Sequence, residues 1–421
     1  MPPLAGDIGL PWDVGVADPV AVLAAARADL GDTFVVDSGE DRYLFTFSAR
    51  GVEAFYALPE ELASKGLADF RMLRRKLPDE IFLGRRTLPS GLFRRDDVAS
   101  YLANLSRAMD VAERELGDQG HAEVFALTRR LAHRMGLASW AGPGCADGPR
   151  FERLVAALDA LDGSEAFVHP DAMAAVAASG KAAERAALEE IVDVIGPVID
   201  EVIDTPANSP LFARIAAEWA DEPAAERRRG VALDVALIHI ASMSNLSAAL
   251  GWVLVDLIAH PAERVRVAAG EVALAEQCAL ESTRLAQRSI MGRYVVAELD
   301  FDVGDVNHRV GPGTTIATLL PLTNTSAGAG LEQWDPRRWN RHRLVEPSDL
   351  ASVQLVTAFG HGRHSCPAQP FSLAAMAMTA TRVFGAYELT PDWQTPPLPL
   401  PVQIGGIARA AGPACVSYRR R

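Results

Sequence analysis

The chain has 421 residues, of which 49% are hydrophobic, and a formal net charge of −13. That length and apolar content can fill a large buried core. The acidic balance excludes nucleic acid as the expected partner, because phosphate recognition needs a basic surface.

Met1-Pro2-Pro3-Leu4 lacks the basic start and apolar run of a signal peptide, so the expectation is a soluble, cytoplasmic protein without a membrane anchor. Apolar residues then recur at helical spacing along most of the chain. The spacing predicts helices over Asp18–Leu30, Asp97–Glu115, Ala122–Gly136, Lys181–Ile203, Val231–Ala259 and Phe371–Ala386, with Pro261–Gln287 as two pieces. Strands are expected at Thr33–Val36 and Tyr43–Phe47, a hairpin about Gly39-Glu40-Asp41. Further strands are expected at Tyr294–Leu299, Thr314–Leu320 and Gln403–Ile407. Ala141–Pro149 and Pro391–Pro401 read as loops. The sum is a mostly α protein with a minor β region, read as one unit over residues 1–421, its early β-rich part near 31–50.

Val231–Ala259 would be about 43 Å long at ~1.5 Å per residue. Asp234, His239, Asn245 and Asp256 interrupt it and no basic flank follows directly, so it reads as a core helix rather than a membrane span.

The four cysteines, Cys145, Cys278, Cys366 and Cys415, are far apart and form no Cys-x-x-Cys pair. Zinc and iron–sulfur spacings are therefore absent, and a disulfide framework is not expected. Cys366 stands out. It sits in Phe359-Gly360-His361-Gly362-Arg363-His364-Ser365-Cys366-Pro367-Ala368, just before a helical run. A helix N-terminus and the nearby Arg363 and His364 are expected to favour the thiolate. A thiolate there is a nucleophile or a metal ligand; a buried, inert cysteine is the plainer alternative. Glu281 and Arg284 stand three apart, which puts them on one helix face, close enough to pair. A surface ion pair is the plain reading of that spacing.

The Cys366 segment resembles the haem-ligand loop of the cytochrome P450 family, which reads Phe-x-x-Gly-x-x-x-Cys-x-Gly. Phe359, Gly362 and Cys366 match it, and Ala368 departs from it. The resemblance implies a cytochrome P450-like fold, a triangular helical domain with small β-sheets, around haem b (iron protoporphyrin IX). It makes Cys366 the axial iron ligand, favouring O–O cleavage, and gives His364 and Arg293 to the haem propionates. Glu281-Ser282-Thr283-Arg284, 85 residues before Cys366, is similar to the family's Glu-x-x-Arg motif, and Trp334–Trp339 places Arg338 at its third member. Glu281, Arg284 and Arg338 would form a charge network under the haem loop. For the propionate donor of the early helix, Arg94, Arg95 and Arg107 compete without a clean match. Pro367 has no N–H, so the sulfur is expected to have fewer hydrogen-bond donors.

Val231–Ala259 matches the helix that crosses the distal haem face. Counted back from His260-Pro261, the family's acid–alcohol pair falls on Ser244 and Asn245, within Ala241-Ser242-Met243-Ser244-Asn245. Ser242, Ser244 and Asn245 are the candidate catalytic residues, able to bend the helix, hold water or orient a substrate oxygen. They cannot act as a carboxylic acid near neutral pH. One isomerase branch and one monooxygenase branch of the family each carry asparagine there in place of the usual threonine, so the reaction stays open at this point. One reading is a monomeric monooxygenase fed by ferredoxin or flavodoxin with its reductase, Arg363 helping to dock the carrier. A second is an isomerase, dehydratase or peroxygenase needing no carrier, and a third is a haem sensor. The substrate is expected to be small to medium and apolar. Phe70–Leu92 and Ala166–Gly180, with Met72, Leu73 and Phe82, are the expected pocket walls.

Overall fold

The structure is a computed structural model that describes residues 2–6, 8–82, 94, 97–163, 165–202 and 210–421. It is mostly helical with small sheets. Helix α1, Pro19–Leu30, begins where Asp18 accepts a hydrogen bond from the Ala21 N–H at 2.9 Å, with Pro19 at the first helical position. Strands β1 (Thr33–Ser38) and β2 (Asp41–Thr46) then form the expected hairpin. Gly39 supplies the positive φ (+57°) that the turn requires. After α2 (Lys65–Leu73) come α3 (Val98–Leu116), β3 (Gln119–Glu123), α4 (Val124–Trp140), α5 (Gly148–Asp162), α6 (Pro170–Ala178) and α7 (Ala182–Val202). Then follow α8 (Ala224–Ala259), α9 (Pro261–Ala268), α10 (Val272–Ala286), β4 (Ile290–Val295), β5 (Thr314–Leu319), α11 (Gln369–Ala386), β6 (Tyr387–Pro391) and β7 (Cys415–Arg420).

Six strands make the larger sheet, in the order Leu4–Ala5, β1, β2, β5, β4, Ala63–Ser64. In it β2 pairs parallel to β5, and β5 pairs antiparallel to β4 with Arg293 opposite Ile316. A three-stranded sheet places β7 between β6 and β3. The 36-residue α8 runs through the largest apolar core and packs on α4, α7, α10 and α11. It is long and apolar enough to cross a membrane, yet 72% of its most apolar window is buried inside the protein.

Several boundaries differ from the sequence expectation. Helix α4 starts at Val124 because Glu123 caps it, accepting from the Ala126 N–H at 2.6 Å; Ala122 belongs to β3, whose backbone pairs with β7. Tyr294–Leu299 is no single strand: the Val296 N–H turns to Leu62 O at 2.9 Å, and a second strand begins at Leu299. Gln403–Ile407 is a turn, since Gly405 (φ +110°) and Gly406 (φ +62°) leave the extended region. Helices α5 and α6, and strands β6 and β7, were not anticipated. Ile203, the expected end of α7, lies outside the described residues.

Near the end of α8, burial pushes the Asp256 carboxyl up to about 6, opposed by a Ser282 hydrogen bond and by His260 and reinforced by Glu281. A raised acid in the folded state means that the native protein holds its proton longer than the unfolded chain. The contribution of this one group is therefore full below about pH 4 and is lost as pH rises through about 6. Asp256→Asn is expected to gain about 1–3 kcal/mol at pH 7 relative to wild type. That gain should shrink toward pH 4.5 in urea unfolding; an equal gain at both pH values would refute the assignment.

Candidate functional site

Cys366 sits at the end of a closed loop just ahead of α11. Its N–H donates to Phe359 O at 2.8 Å, and the Ser365 N–H donates to Gly362 O at 3.2 Å. Gly360 (φ +79°) and Gly362 (φ +61°) make the bend, and a Cβ on Gly360 would stand 3.2 Å from His364 O. The backbone of Phe359 and Gly362 thus fixes where the sulfur is presented, while the Phe359 ring packs against the main core. The sulfur accepts hydrogen bonds from the Ala368 and Gln369 N–H groups. Pro367 removes one donor, but two others at the start of α11 take its place.

The expectation of a readily ionised thiol needs correction. Burial pushes the Cys366 thiol up, outweighing the two N–H donors and Lys65. Arg363 is exposed and is not among the groups that act on the sulfur.

Below the loop lies a buried charge network. Glu281 and Arg284 are both fully buried and form a bidentate pair, with Nη2–Oε1 at 2.7 Å and Nε–Oε2 at 2.9 Å. The plain reading, a surface pair, is excluded by that burial. Arg338 Nε adds a third contact to Glu281 Oε1 at 3.1 Å. Two donors that sequence reasoning missed complete the carboxylate: Trp339 Nε1 at 2.8 Å and the Asp335 N–H at 3.1 Å. With five hydrogen bonds on one carboxylate, the desolvation cost of burying it is largely offset.

Asn324 connects this network to the loop. Arg284 Nη1 donates to Asn324 O at 2.6 Å, while Asn324 Nδ2 donates to Arg284 O at 3.1 Å and Thr357 O at 2.9 Å. Asn324 Oδ1 accepts from the Thr357 N–H at 2.7 Å. Thr357 Oγ1 in turn donates to Gly360 O at 3.1 Å and accepts from the Phe359 N–H at 3.2 Å. Gln287 Nε2 holds Ala358 O at 2.7 Å. A fixed chain of hydrogen bonds therefore runs from Glu281 to the residues that shape the Cys366 bend.

Arg293 and His364 meet at one carboxylate. Arg293 is 1% exposed; its Nε donates to Ala63 O at 2.8 Å and its Nη2 to Leu58 O at 2.6 Å. Glu60 Oε2 lies 3.4 Å from Arg293 Nη2 and 3.5 Å from His364 Nε2. Arg293 Nη1, His364 Nε2 and Glu60 Oε2 are buried without a hydrogen bond. Burial, then Arg293, holds the His364 imidazole below its usual range. Two unsatisfied cationic or neutral donors directed at one place fit a carboxylate. Together with a sulfur that receives two N–H bonds, this donor set fits a haem: Cys366 for the iron, Arg293 and His364 for a propionate.

Across Val231–Ile258, only Ile240, Ala241, Ser242, Ser244, Asn245 and Asp256 escape burial. Ala241 and Asn245, one turn apart, are the exposed pair and make an open face in the middle of a core helix. Asn245 Oδ1 accepts from the Ile407 N–H at 2.9 Å, and a Cβ on Gly406 would stand 2.5 Å from that oxygen. Ser244, at the edge of that face, is hydrogen-bonded to the Asp162 carboxyl on α5. Ser242 lies on a third side of the helix. The three candidate catalytic residues are neighbours in sequence and diverge in space.

Of the early-helix arginines, Arg94 is exposed, Arg107 is exposed and bonds Asn104, and Arg95 lies outside the described residues. Met72, Leu73 and Phe82 pack as partly buried core residues, with Phe82 edge-on to Phe70 at 5.0 Å. Residues 83–92 of the expected pocket wall also fall outside the description.

No protein-family model matches the chain. The crystal structure of CYP175A1 from Thermus thermophillus matches with a TM-score of 0.67 and 20% identity, over 96% of this chain and 95% of that one. Among curated proteins, 24-hydroxycholesterol 7-alpha-hydroxylase of Homo sapiens is 23% identical over 211 residues, or 44% of this chain. That match spans 43% of the human protein, less than half its length. The chain has the cytochrome P450 fold. The resemblance first read from the Cys366 loop thus holds at the level of the whole architecture.

Proposed function

We propose that this protein is a haem-thiolate monooxygenase. It inserts one oxygen atom of O2 into a small to medium apolar organic substrate. It works in the cytoplasm as a monomer over residues 1–421, with electrons from a ferredoxin or flavodoxin and its reductase. The observation that carries this reading is the Cys366 loop, its sulfur facing two N–H donors and its bend tied through Thr357 and Asn324 to the buried Glu281–Arg284 pair. The fold and the hydroxylase relative support it.

In this reading Cys366 ligates the iron of haem b, and Arg293 and His364 hold a propionate. Bound there, a thiolate-ligated haem supplies O–O bond cleavage. Phe359 and Gly362 keep the sulfur in position, and Glu281, Arg284 and Arg338 keep the loop rigid. Asn245 and its neighbours Ser242 and Ser244 face or flank the open side of α8, where Asn245 orients the substrate and the serines hold water.

The absence of a carboxylate at positions 244 and 245 favours a second reading, an isomerase, dehydratase or peroxygenase that needs no carrier. A turnover assay separates them. Product that requires both reductant and O2 is the expected result. Product from a peroxide alone, or rearranged product without reductant, would replace the first reading with the second.

A further inference from the structure

Ile240, Met243, Ser244 and Ser247 of α8 line a cavity of about 10 Å3 together with His239, also of α8, Arg129 and His133 of α4, and Leu158 and Asp162 of α5. That is about the room that one water centre needs. Ser244 stands on a seam. It neighbours Ile240 and Ser247 on the cavity side, and Ala241, three residues back, on the open face. A group at this position can touch both the cavity and the edge of the face where Asn245 is exposed.

Two polar routes lead from the cavity toward solvent. One is a pair of histidines. Trp140 Nε1 donates to His239 Nδ1 at 3.3 Å, because an indole N–H can only donate. His239 Nε2 then carries its proton toward His133 Nδ1 at 2.8 Å, and His133 Nε2 donates to Asp159 Oδ1 at 2.8 Å. This chain has one direction: the Nδ1 of His239, itself on α8, is taken by an indole that can only donate, so the pair passes no proton onward from His239. Its role is to satisfy His239, which burial holds neutral.

The other route runs through Asp162. Arg129 bridges it to Asp159, with Nη1–Asp162 Oδ2 at 3.1 Å and Nη2–Asp159 Oδ1 at 2.5 Å. Asp159 is 41% exposed and Asp162 18%, so the route rises from the cavity to the surface. The groups that act on Asp162 are Arg129 and His133 on α4, Ser244 on α8, and, at longer range, Lys76, which pairs with Glu184. Burial pushes the Asp162 carboxyl up, against Arg129 and the Ser244 hydroxyl, so that it holds a proton at higher pH than an ordinary aspartate.

We propose that Asp162, acting from α5 through Ser244, is the proton-delivering carboxyl that α8 itself lacks. The inference rests on the monooxygenase reading. In that reaction one atom of O2 enters the substrate and the other leaves as water, using two electrons from the carrier and two protons from solvent. Asp162 gives its proton to the Ser244 oxygen as Ser244 passes its own toward the open face. Asp162 then recovers a proton from water at the Asp159–Arg129 edge. Asp162 is a positioning and relay group that never touches the substrate.

Two measurements test this. The first is independent of turnover: infrared titration of the carboxyl region in wild type, Asp162→Asn and Ser244→Ala. A protonated-carboxyl band absent from Asp162→Asn and shifted in frequency by Ser244→Ala is expected; a band that Ser244→Ala leaves unmoved overturns the pairing. The second is reductant-driven oxygen consumption without substrate, using ferredoxin and its reductase. Asp162→Asn is expected to slow it about 10²-fold, to change the solvent deuterium isotope effect, and to be largely rescued by Asp162→Glu. Wild-type rate and isotope effect in a folded Asp162→Asn would overturn the relay. A wild type that consumes no oxygen would instead remove the monooxygenase reading, and the relay with it, while the infrared result still reports the pair.

Discussion

Replacing Glu281 by alanine destabilises the protein by about 3–5 kcal/mol, the range for removing one partner of a buried ion pair. The structure gives the reason. Arg284 is fully buried and keeps only its bond to Asn324 O once the carboxylate is gone. Arg338, the Trp339 indole and the Asp335 N–H lose the same acceptor. Glu281→Gln should be milder, since an amide oxygen still accepts, but its NH2 group would face donors. The measurement is guanidinium unfolding followed by circular dichroism. A midpoint for Glu281→Ala within error of wild type would mean that the network is replaceable by solvent. The effect should also reach the Cys366 loop, because the Asn324–Thr357 bonds transmit any shift of Arg284 to the residue two places ahead of Phe359.

Cys366→Ser is expected to abolish the thiolate signature while leaving the fold intact. The wild-type protein, loaded with haem, reduced and exposed to carbon monoxide, should show the strongly red-shifted Soret band of a thiolate ligand. The serine variant should show none of it. The two side chains are nearly isosteric, and the loop's shape depends on backbone bonds of Phe359, Gly362 and Cys366 that serine keeps. An unchanged circular dichroism spectrum would separate loss of ligation from loss of structure. A variant that retains the red-shifted band would assign the ligand elsewhere, and Cys145 and Cys278 are poor substitutes because both are buried with thiols pushed up to about 12.

What could be read in the sequence follows from the physics of each element. Helices with long apolar periods, such as α8 and α11, announce themselves, since burial of one face or all faces writes directly into residue spacing. Cys366, Glu281 and Arg284 could be singled out because few residue types can do what a loop thiol or a buried ion pair does. Asn324, Thr357, Gln287 and Glu60 could not. Each acts through hydrogen bonds to segments tens to hundreds of residues away, and an asparagine in Leu320–Ser326 looks like any turn residue. Strand β3 was hidden for a similar reason. Gln119–Glu123 has no alternating apolar pattern, and its extended form comes from pairing with β7, some 290 residues later. Asp162 was invisible as well, because the acid expected on α8 reaches Ser244 from another helix.

Under the proposed function, the bond between Asn245 and Ile407 sets what the open face of α8 would recognise. With Oδ1 occupied by the Ile407 N–H, the amide turns its two hydrogens toward the remaining space. With its oxygen turned to the loop, it offers that space mainly its N–H donors. A molecule that meets it through a carbonyl, ether or hydroxyl oxygen finds a matching partner, whereas one that presents only N–H or C–H groups leaves those hydrogens unsatisfied in a partly closed site, at a cost of about 1–3 kcal/mol. Gly406 guards this selectivity, since any larger residue there would crowd the amide oxygen off the loop and free the side chain to rotate and present either end.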